Sequence, residues 1–155
     1  MKIYLLGIVF ILVSCNGQKK ASVKNSDQIS NPNTSLVLLL QDEYSGFEVE
    51  ETLVIKDQKG LKSFYSKINR TRKPGLPVPV IDFSREMVIV YCSGEQNHSG
   101  LTKLNFSKEN STQVMLDSQV EIDPIVSSNT VLNNPFCVYK MPLTTKNVVV
   151  EKQIK

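Results

Sequence analysis

The second half of the chain is a succession of short apolar segments, and this pattern constrains the fold more than any other feature. Stretches rich in Gly, Pro, Asn, Asp and Ser separate the segments and predict turns. The predicted strands are Met87–Cys92, Leu101–Phe106, Gln113–Ile122, Phe136–Met141 and Asn147–Lys152. Because such segments bury their apolar side chains by pairing, we expect a twisted antiparallel sheet or a small sandwich.

One helix and two further strands are predicted ahead of this region. Leu36–Leu40 and Phe47–Ile55 resemble strands, and a turn near Gly46 joins them. Asp57 can cap a helix over about residues 58–69, whose apolar residues follow the spacing of one buried stripe. The predicted fold class is therefore α+β, a mainly antiparallel sheet or small sandwich with one packed helix.

The first residues of the chain predict that the protein is located in the cell envelope. Lys2 precedes the apolar run Ile3–Val13, which is too short to span a membrane and has the layout of a secretory signal. The tetrapeptide that ends in Cys15 (Leu-Val-Ser-Cys) resembles the lipobox of bacterial lipoproteins, in which the signal is removed and the cysteine is lipidated. The alternative is an ordinary cleaved signal with an incidental cysteine. We expect a signal peptide over residues 1–14 and a lipid on Cys15. Since no aspartate follows Cys15, we expect attachment to the outer membrane, facing the periplasm.

The remainder divides into a tether and a single globular domain. Residues 15–35 are polar, and their two isolated aliphatic side chains cannot offset the entropy of ordering the segment. Residues 36–155 are long enough to form a core without a metal. From Leu36 onward, 14 Lys and Arg balance 14 Asp and Glu. A domain without net charge does not attract a phosphate backbone, which argues against nucleic acid as a partner.

A family resemblance covers residues 57–152. In Val80–Val90, the pair Asp82-Phe83 and a short polar gap precede a buried strand, and Gly94 follows it. Ser99-Gly100-Leu101 keeps half of a Thr/Ser-Gly-Gly-aromatic turn. These residues, with prolines at positions 124, 135 and 142, resemble the C-terminal domain of the PrcB family, protease-complex subunits found among bacterial lipoproteins. The resemblance implies a non-catalytic, membrane-anchored accessory protein that binds or stabilises an extracytoplasmic protease complex. The alternative among binding proteins is an inhibitor that inserts its loops into a protease cleft.

His98 is the only histidine, and a Ser-His-Asp hydrolase would have to use it. The chain has no Gly-x-Ser-x-Gly sequence, and a zinc site usually needs two or more His or Cys ligands. We therefore expect a solvated loop histidine, no enzyme activity and no cofactor. A hydrolase built around His98 is the rival hypothesis.

Two cysteines, Cys92 and Cys137, remain in the globular domain. Both fall in or beside predicted strands, and the cell envelope permits disulfides. If those strands are neighbours, a bridge between the two cysteines closes the long loop from residue 92 to residue 137 and contributes about 3–4 kcal/mol to stability. Two buried free thiols are the alternative. A reactive thiol is a third, but only His98 is available to activate it.

Two groups of charged residues have structural explanations. The acidic residues Asp42, Glu43, Glu48, Glu50 and Glu51 could attract calcium or a basic partner, but the alternating oxygen ligands of calcium loops are absent, and we expect a solvated strand face. Lys67, Arg70, Arg72 and Lys73 lie at the end of the predicted helix, where its dipole favours cations. Asp82 is expected to cap the turn before a buried strand.

The loop between residues 93 and 100 is the first candidate for contact with a protein partner. It is polar, has a glycine near each end and joins two predicted strands. Its candidate contact residues are Glu95, Gln96, Asn97 and His98. The segment Lys73–Val80 is the second candidate, because its prolines extend it in advance of binding.

Overall fold

The computed structural model describes residues 35–97, 100–122 and 132–153. The predicted signal peptide, Cys15, the tether up to residue 34 and His98 lie outside the described residues. The described ranges contain no helix with the length and apolarity that crossing a membrane requires.

The described residues form one helix and seven strands arranged in two sheets. In chain order the elements are β1 Val37–Asp42, β2 Glu50–Ile55, α1 Gln58–Ile68, β3 Glu86–Ser93, β4 Gly100–Glu109, β5 Gln113–Ile122, β6 Phe136–Pro142 and β7 Asn147–Lys152. One sheet is antiparallel with the strand order β1-β6-β3-β2. The other has the order β4-β5-β7, with β5 and β7 parallel. The predicted α+β fold class is confirmed.

β3 is buried on both faces and divides the interior into two cores. Val88 and Val90 join a core with α1 on one face of the four-stranded sheet. Ile89 and Tyr91 join a second core with the three-stranded sheet on the other face. Because both faces are covered, the strand is an unbroken apolar run and does not alternate with polar residues.

α1 begins and packs as the sequence predicts. The side chain of Asp57 accepts a hydrogen bond of 2.7 Å from the backbone N–H of Gly60, which satisfies one of the free donors at the helix start. The apolar stripe is buried, at Leu61, Phe64, Tyr65 and Ile68. α1 therefore covers one face of the four-stranded sheet with the residues that its spacing indicated.

The first two strands differ from the prediction in length and in arrangement. Gly46 turns the chain with a φ of 72°, as expected, but the connection runs from residue 43 to residue 49. Phe47, predicted to open a strand, packs in the core with α1 instead. β1 and β2 lie at opposite edges of their sheet, because β3 and β6, which are apolar on both faces, take the two inner places.

The five later strands are confirmed. β5 and β7 have the predicted bounds, and β3 and β6 extend the predictions by one residue at one or both ends. β4 continues to Glu109, beyond the predicted end at Phe106, and its pairing with β5 shifts between Phe106 and Lys108. This bulge breaks the alternation of side chains, which explains why the prediction stopped there.

Leu61 is fully buried in the α1 core, so we expect Leu61→Ala to lower the free energy of unfolding by about 2–5 kcal/mol. The matched control is Lys62→Ala on the exposed side of the same helix turn, which should change it by less than about 0.5 kcal/mol. Urea unfolding followed by circular dichroism measures both. Equal effects of the two variants would contradict the packing of α1 described above.

Candidate functional site

The first predicted contact loop continues the pairing of the four-stranded sheet beyond the ends of its strands. The backbone groups of Gln96 and Asn133 exchange two hydrogen bonds, of 2.8 and 3.0 Å, and the N–H of Glu95 donates to the carbonyl of Glu48 at 3.0 Å. The Gln96 side chain donates a further bond of 2.8 Å to the carbonyl of Ser93. The loop is thus held on both sides by segments from distant parts of the chain.

The connection between β1 and β2 is tied to the same end of the sheet. The carbonyl of Asn134 accepts a 2.8 Å hydrogen bond from the N–H of Ser45, and the Asn134 N–H donates to Glu43. The buried Asn134 side chain donates to the carbonyl of Phe47 at 3.0 Å. We call residues 43–49, 93–97 and 132–135 together the loop end. Their lateral order repeats the order β1-β6-β3-β2 of the sheet beneath.

Gly94 fixes how closely these segments approach. Its φ is 71°, and a Cβ atom built on it would lie 2.8 Å from the backbone nitrogen of Glu50. Any other residue would be strained at this φ, and its Cβ atom would collide with the backbone of Glu50. The position therefore requires glycine. The glycine that the sequence flagged at this place therefore seats the loop against the beginning of β2.

The loop end presents apolar and acidic side chains to solvent. Val49 is 71% exposed, Leu132 59% and Tyr44 47%. Exposed carboxylates lie beside them, at Glu43, Glu48 and Glu95. The sequence did not single out the three apolar residues, because they come from segments far apart in the chain.

The predicted contact residues divide between two roles. Glu95 and Asn97 are exposed and available to a partner. Gln96 is half-buried and holds the loop to Asn133, so it supports the surface more than it contributes to it. His98 lies outside the described residues.

The acidic group does not remain together as one solvated face. Asp42 forms a bidentate ion pair with Arg72, at 2.8 and 3.1 Å, which ties β1 to the segment after α1. Arg72 also donates to the carbonyls of Tyr44 and, at 3.2 Å, of Ile68 at the end of α1. This confirms a structural role for one member of the basic cluster. Across the described ranges, no group of three His, Cys, Asp or Glu is arranged to hold a metal ion.

The structure contradicts a disulfide between Cys92 and Cys137. Both are buried and free. β3 and β6 are neighbours, but Tyr91 is the residue opposite Cys137, so the two cysteines are one residue out of register. Cys92 therefore faces the α1 core and Cys137 faces the other core, on opposite sides of the sheet. Burial raises the pKa of each thiol to about 12, so neither is a nucleophile near neutral pH.

The two thiols predict a loss of stability at alkaline pH. The folded protein keeps them protonated up to a pKa of about 12, whereas the unfolded chain releases the protons near pH ~8.5. The folded state thus binds more protons in this window, and the free energy of unfolding falls as pH rises, by about 1.4 kcal/mol per pH unit for each thiol. Denaturant titrations between pH 8 and 11 measure the slope.

The control for this prediction is the double variant Cys92→Ala/Cys137→Ala, which should have a shallower slope above pH ~8.5. A smaller fall should remain, because burial also raises the pKa of Tyr91 to about 12. Identical slopes in the two proteins would show that the thiols titrate alike in the folded and unfolded states.

Asp82 has the structural role that the sequence predicts. Its carboxylate accepts hydrogen bonds from the hydroxyl of Ser84, at 2.5 Å, and from the Ser84 N–H, at 3.1 Å. The hydroxyl bond is the main cause that lowers the pKa of Asp82. The side chain closes the turn that leads into β3.

The second predicted contact segment, Lys73–Val80, is extended and lies against the end of α1. Asn69 holds it with two hydrogen bonds, to the carbonyl and from the N–H of Leu76, at 2.8 and 2.7 Å. Val80 at its end is 98% exposed. The segment is therefore available to a partner, but it presents two exposed large apolar side chains, Val78 and Val80, against three in the loop end.

A cavity of about 370 Å³ lies between the two sheets, and no sequence pattern indicated it. Its walls combine hydroxyl, amide and charged groups with one aliphatic side chain, at Tyr91, Ser93, Ser118, Gln119, Val120, Glu121, Lys152 and Gln153. The Ser118 hydroxyl donates to the Tyr91 hydroxyl at 3.3 Å, and Ser93 is hydrogen-bonded to the buried Thr102. Since burial raises the pKa of Tyr91 to about 12, its phenol offers hydrogen bonds and not a proton transfer near neutral pH.

A groove of about 450 Å³ runs between β2 and α1. It is lined along one side by residues 51–55 of β2 and along the other by Gly60, Ser63, Phe64 and Lys67 of α1. Phe47 closes one end, and the Lys67 ammonium lies 3.3 Å from the centre of the Phe47 ring. The groove begins where the loop end stops, so the two surfaces adjoin each other.

Comparison with known proteins finds no matching family model, no matching curated protein and no matching solved structure. The resemblance to the PrcB family stays a prediction that rests on residues such as Asp82, Phe83 and Gly94.

Proposed function

We propose that this chain is a lipid-anchored binding protein of the cell envelope that acts by contact and not by catalysis. The observation that carries the proposal is the loop end. Three separate segments are hydrogen-bonded in the order of the sheet beneath them and present Tyr44, Val49 and Leu132 to solvent. Large exposed side chains on a rigid β framework are typical of surfaces that contact other proteins.

The rigidity of the loop end supports this function. Binding costs free energy when loops must be ordered at the interface, and here backbone hydrogen bonds already hold Glu95, Gln96 and Ser45 in place. The buried Asn134 side chain fixes the middle of the surface from beneath. A partner that docks on the loop end therefore meets a surface that is largely formed in advance.

Charge at the loop end favours a partner with a basic rim. Glu48 and Glu95 are joined through their backbones and both side chains are exposed, with Glu43 on the far side. Charges around an apolar centre steer encounter and select among partners more than they add affinity. We propose that basic residues on the partner surround the site where Val49 and Leu132 dock.

The partner that we propose is a secreted or envelope protease complex, as the resemblance to the PrcB family implies. A subunit of such a complex should co-purify with the protease and raise its level. The alternative, an inhibitor that uses the same loops, should lower peptidase activity when it is added to the protease. The two roles are distinguished by one activity assay with and without the chain.

The anchor is tested at Cys15. We expect full-length protein to incorporate radiolabelled palmitate in bacterial cells and Cys15→Ala to lose all of the label. Asn16→Ala, which changes the next residue and leaves the cysteine, should be labelled like the natural sequence. Label that persists in Cys15→Ala, or that is absent from the natural sequence, would falsify the lipid anchor.

The contact surface is tested by affinity capture from detergent-solubilised envelopes. We expect the full-length chain to recover a protease, and Val49→Asp to lower the recovery by about tenfold or more, because it places a charge at the most exposed large apolar residue of the loop end. The matched control is Val80→Asp, which makes the same change on the proline-rich segment and should leave recovery unchanged.

The reverse result, with recovery lost only in Val80→Asp, would place the contact on the proline-rich segment. Recovery of no protein above an unrelated lipoprotein bait would count against a binding function. His98→Ala addresses the rival hydrolase: a phenotype as severe as deletion of the protein would favour catalysis.

A further inference from the structure

The outer edge of β2 carries backbone groups that the described residues leave unpaired. β2 pairs only with β3 and lies last in the strand order. The N–H of Ser93 donates to Pro135, on the β6 side of β3. Since alternate residues of a strand direct their backbone groups to opposite neighbours, Cys92 and Val90 of β3 face β2.

The register then identifies which groups of β2 point outward. Cys92 lies opposite Glu51 and Val90 lies opposite Leu53. Glu51 and Leu53 are therefore the residues bonded to β3. The backbone N–H and C=O groups of Thr52 and Val54 are left facing away from the sheet.

β2 also lacks a β-bulge, one of the devices that usually protect an edge strand. The register of β1 shifts between Leu38 and Leu40, and that of β4 shifts between Phe106 and Lys108. β2 pairs with β3 without a shift, and after Glu50 and Glu51 its last four residues, Thr52–Ile55, carry no charge. The regular, uncharged part of this edge is a template for another strand.

The groove beside β2 is built to receive side chains from such a strand. Leu53 and Ile55 project into it from β2, and Phe64 projects from α1. At its narrow end Gly60 has no side chain, and a Cβ atom there would lie 3.2 Å from the Ile55 side chain. The groove therefore offers apolar contact around the half-buried Leu53, with Ile55 and Phe64 buried behind it.

Lys67 gives the groove a charge that selects for an anion. Its ammonium lies 3.3 Å from the centre of the Phe47 ring, and no carboxylate of the described residues lies within ion-pair distance of it. Glu51 lines the same end of the groove without pairing with it. A carboxylate brought by a ligand would pair with this exposed cation beside the Phe47 ring.

We propose that β2 binds an extended segment of a partner polypeptide as a fifth strand of the four-stranded sheet. The segment pairs with the backbone of Thr52 and Val54, places alternate apolar side chains in the groove and sets a carboxylate against Lys67. This inference concerns a surface next to the loop end. It depends neither on the lipid anchor nor on a protease as the partner.

The test uses the full-length chain in mild detergent and a phage-displayed library of random ten-residue peptides. We expect enriched peptides to alternate apolar and polar residues and to carry Asp or Glu at one end. Affinities of the synthesised peptides are then measured by fluorescence polarisation against the natural sequence and its variants.

Val54→Pro removes an outward N–H, and we expect it to weaken binding by about tenfold or more, since the strand pairing is lost. The matched control is Val54→Thr, which keeps the N–H and the branched side chain and should change affinity by less than about threefold. Methylation of alternate backbone nitrogens in the peptide should have the effect of Val54→Pro without altering the protein. This arm keeps the test decisive if the proline variant does not fold.

Lys67→Met should weaken the binding of the acidic peptides by about three- to tenfold. It should leave the affinity of their Asn- or Gln-substituted versions unchanged. No enriched pattern, or binding that survives both Val54→Pro and backbone methylation, would overturn the proposal. So would light scattering that finds a dimer of the natural sequence and a monomer of Val54→Pro, because a second copy would then be the occupant. Peptides that bind only after residues 16–34 are deleted would instead identify the chain's own tether as the occupant.

Discussion

Every backbone polar group of β3 must find its hydrogen bond inside the protein, because the strand is covered on both faces and bordered on both sides. β6 and β2 meet that requirement as the two neighbours of β3. β3 also sets the two cores, since its side chains alternate between α1 and the three-stranded sheet. The separation of Cys92 from Cys137 follows from the same alternation.

The elements themselves are local properties of the sequence, and most were predictable from it. The stripe of α1, its cap at Asp57 and the bounds of β5 and β7 depend on neighbours within a few residues. The strand order depends on which segments are apolar on both faces across the whole chain, and one sequence does not state it. For the same reason the spacing of the two cysteines was compatible with a bridge that the register of β3 and β6 does not allow.

The candidate surfaces were predictable only in part. Gly94 and the polar residues after it indicated a contact loop, and Glu95 and Asn97 are indeed exposed there. Val49 and Leu132 had no such signal, since each becomes part of a surface only when segments distant in sequence are paired. The groove was not predictable from the sequence either, because it forms only where the β2 edge packs beside α1. The loop end and the β2 edge adjoin at Glu50, where β2 begins.

For the proposed lipid-anchored protein, the position of β1 has a mechanical consequence. β1 enters the sheet at Val37 and runs toward Asp42 at the loop end, pairing antiparallel with β6 along the way. Tension between a membrane anchor and a cargo at the loop end would act along the strand axis, across hydrogen bonds that lie perpendicular to it. Such bonds share a shearing load and rupture together rather than one after another. The ion pair between Asp42 and Arg72 adds a further clamp at the far end of that ladder.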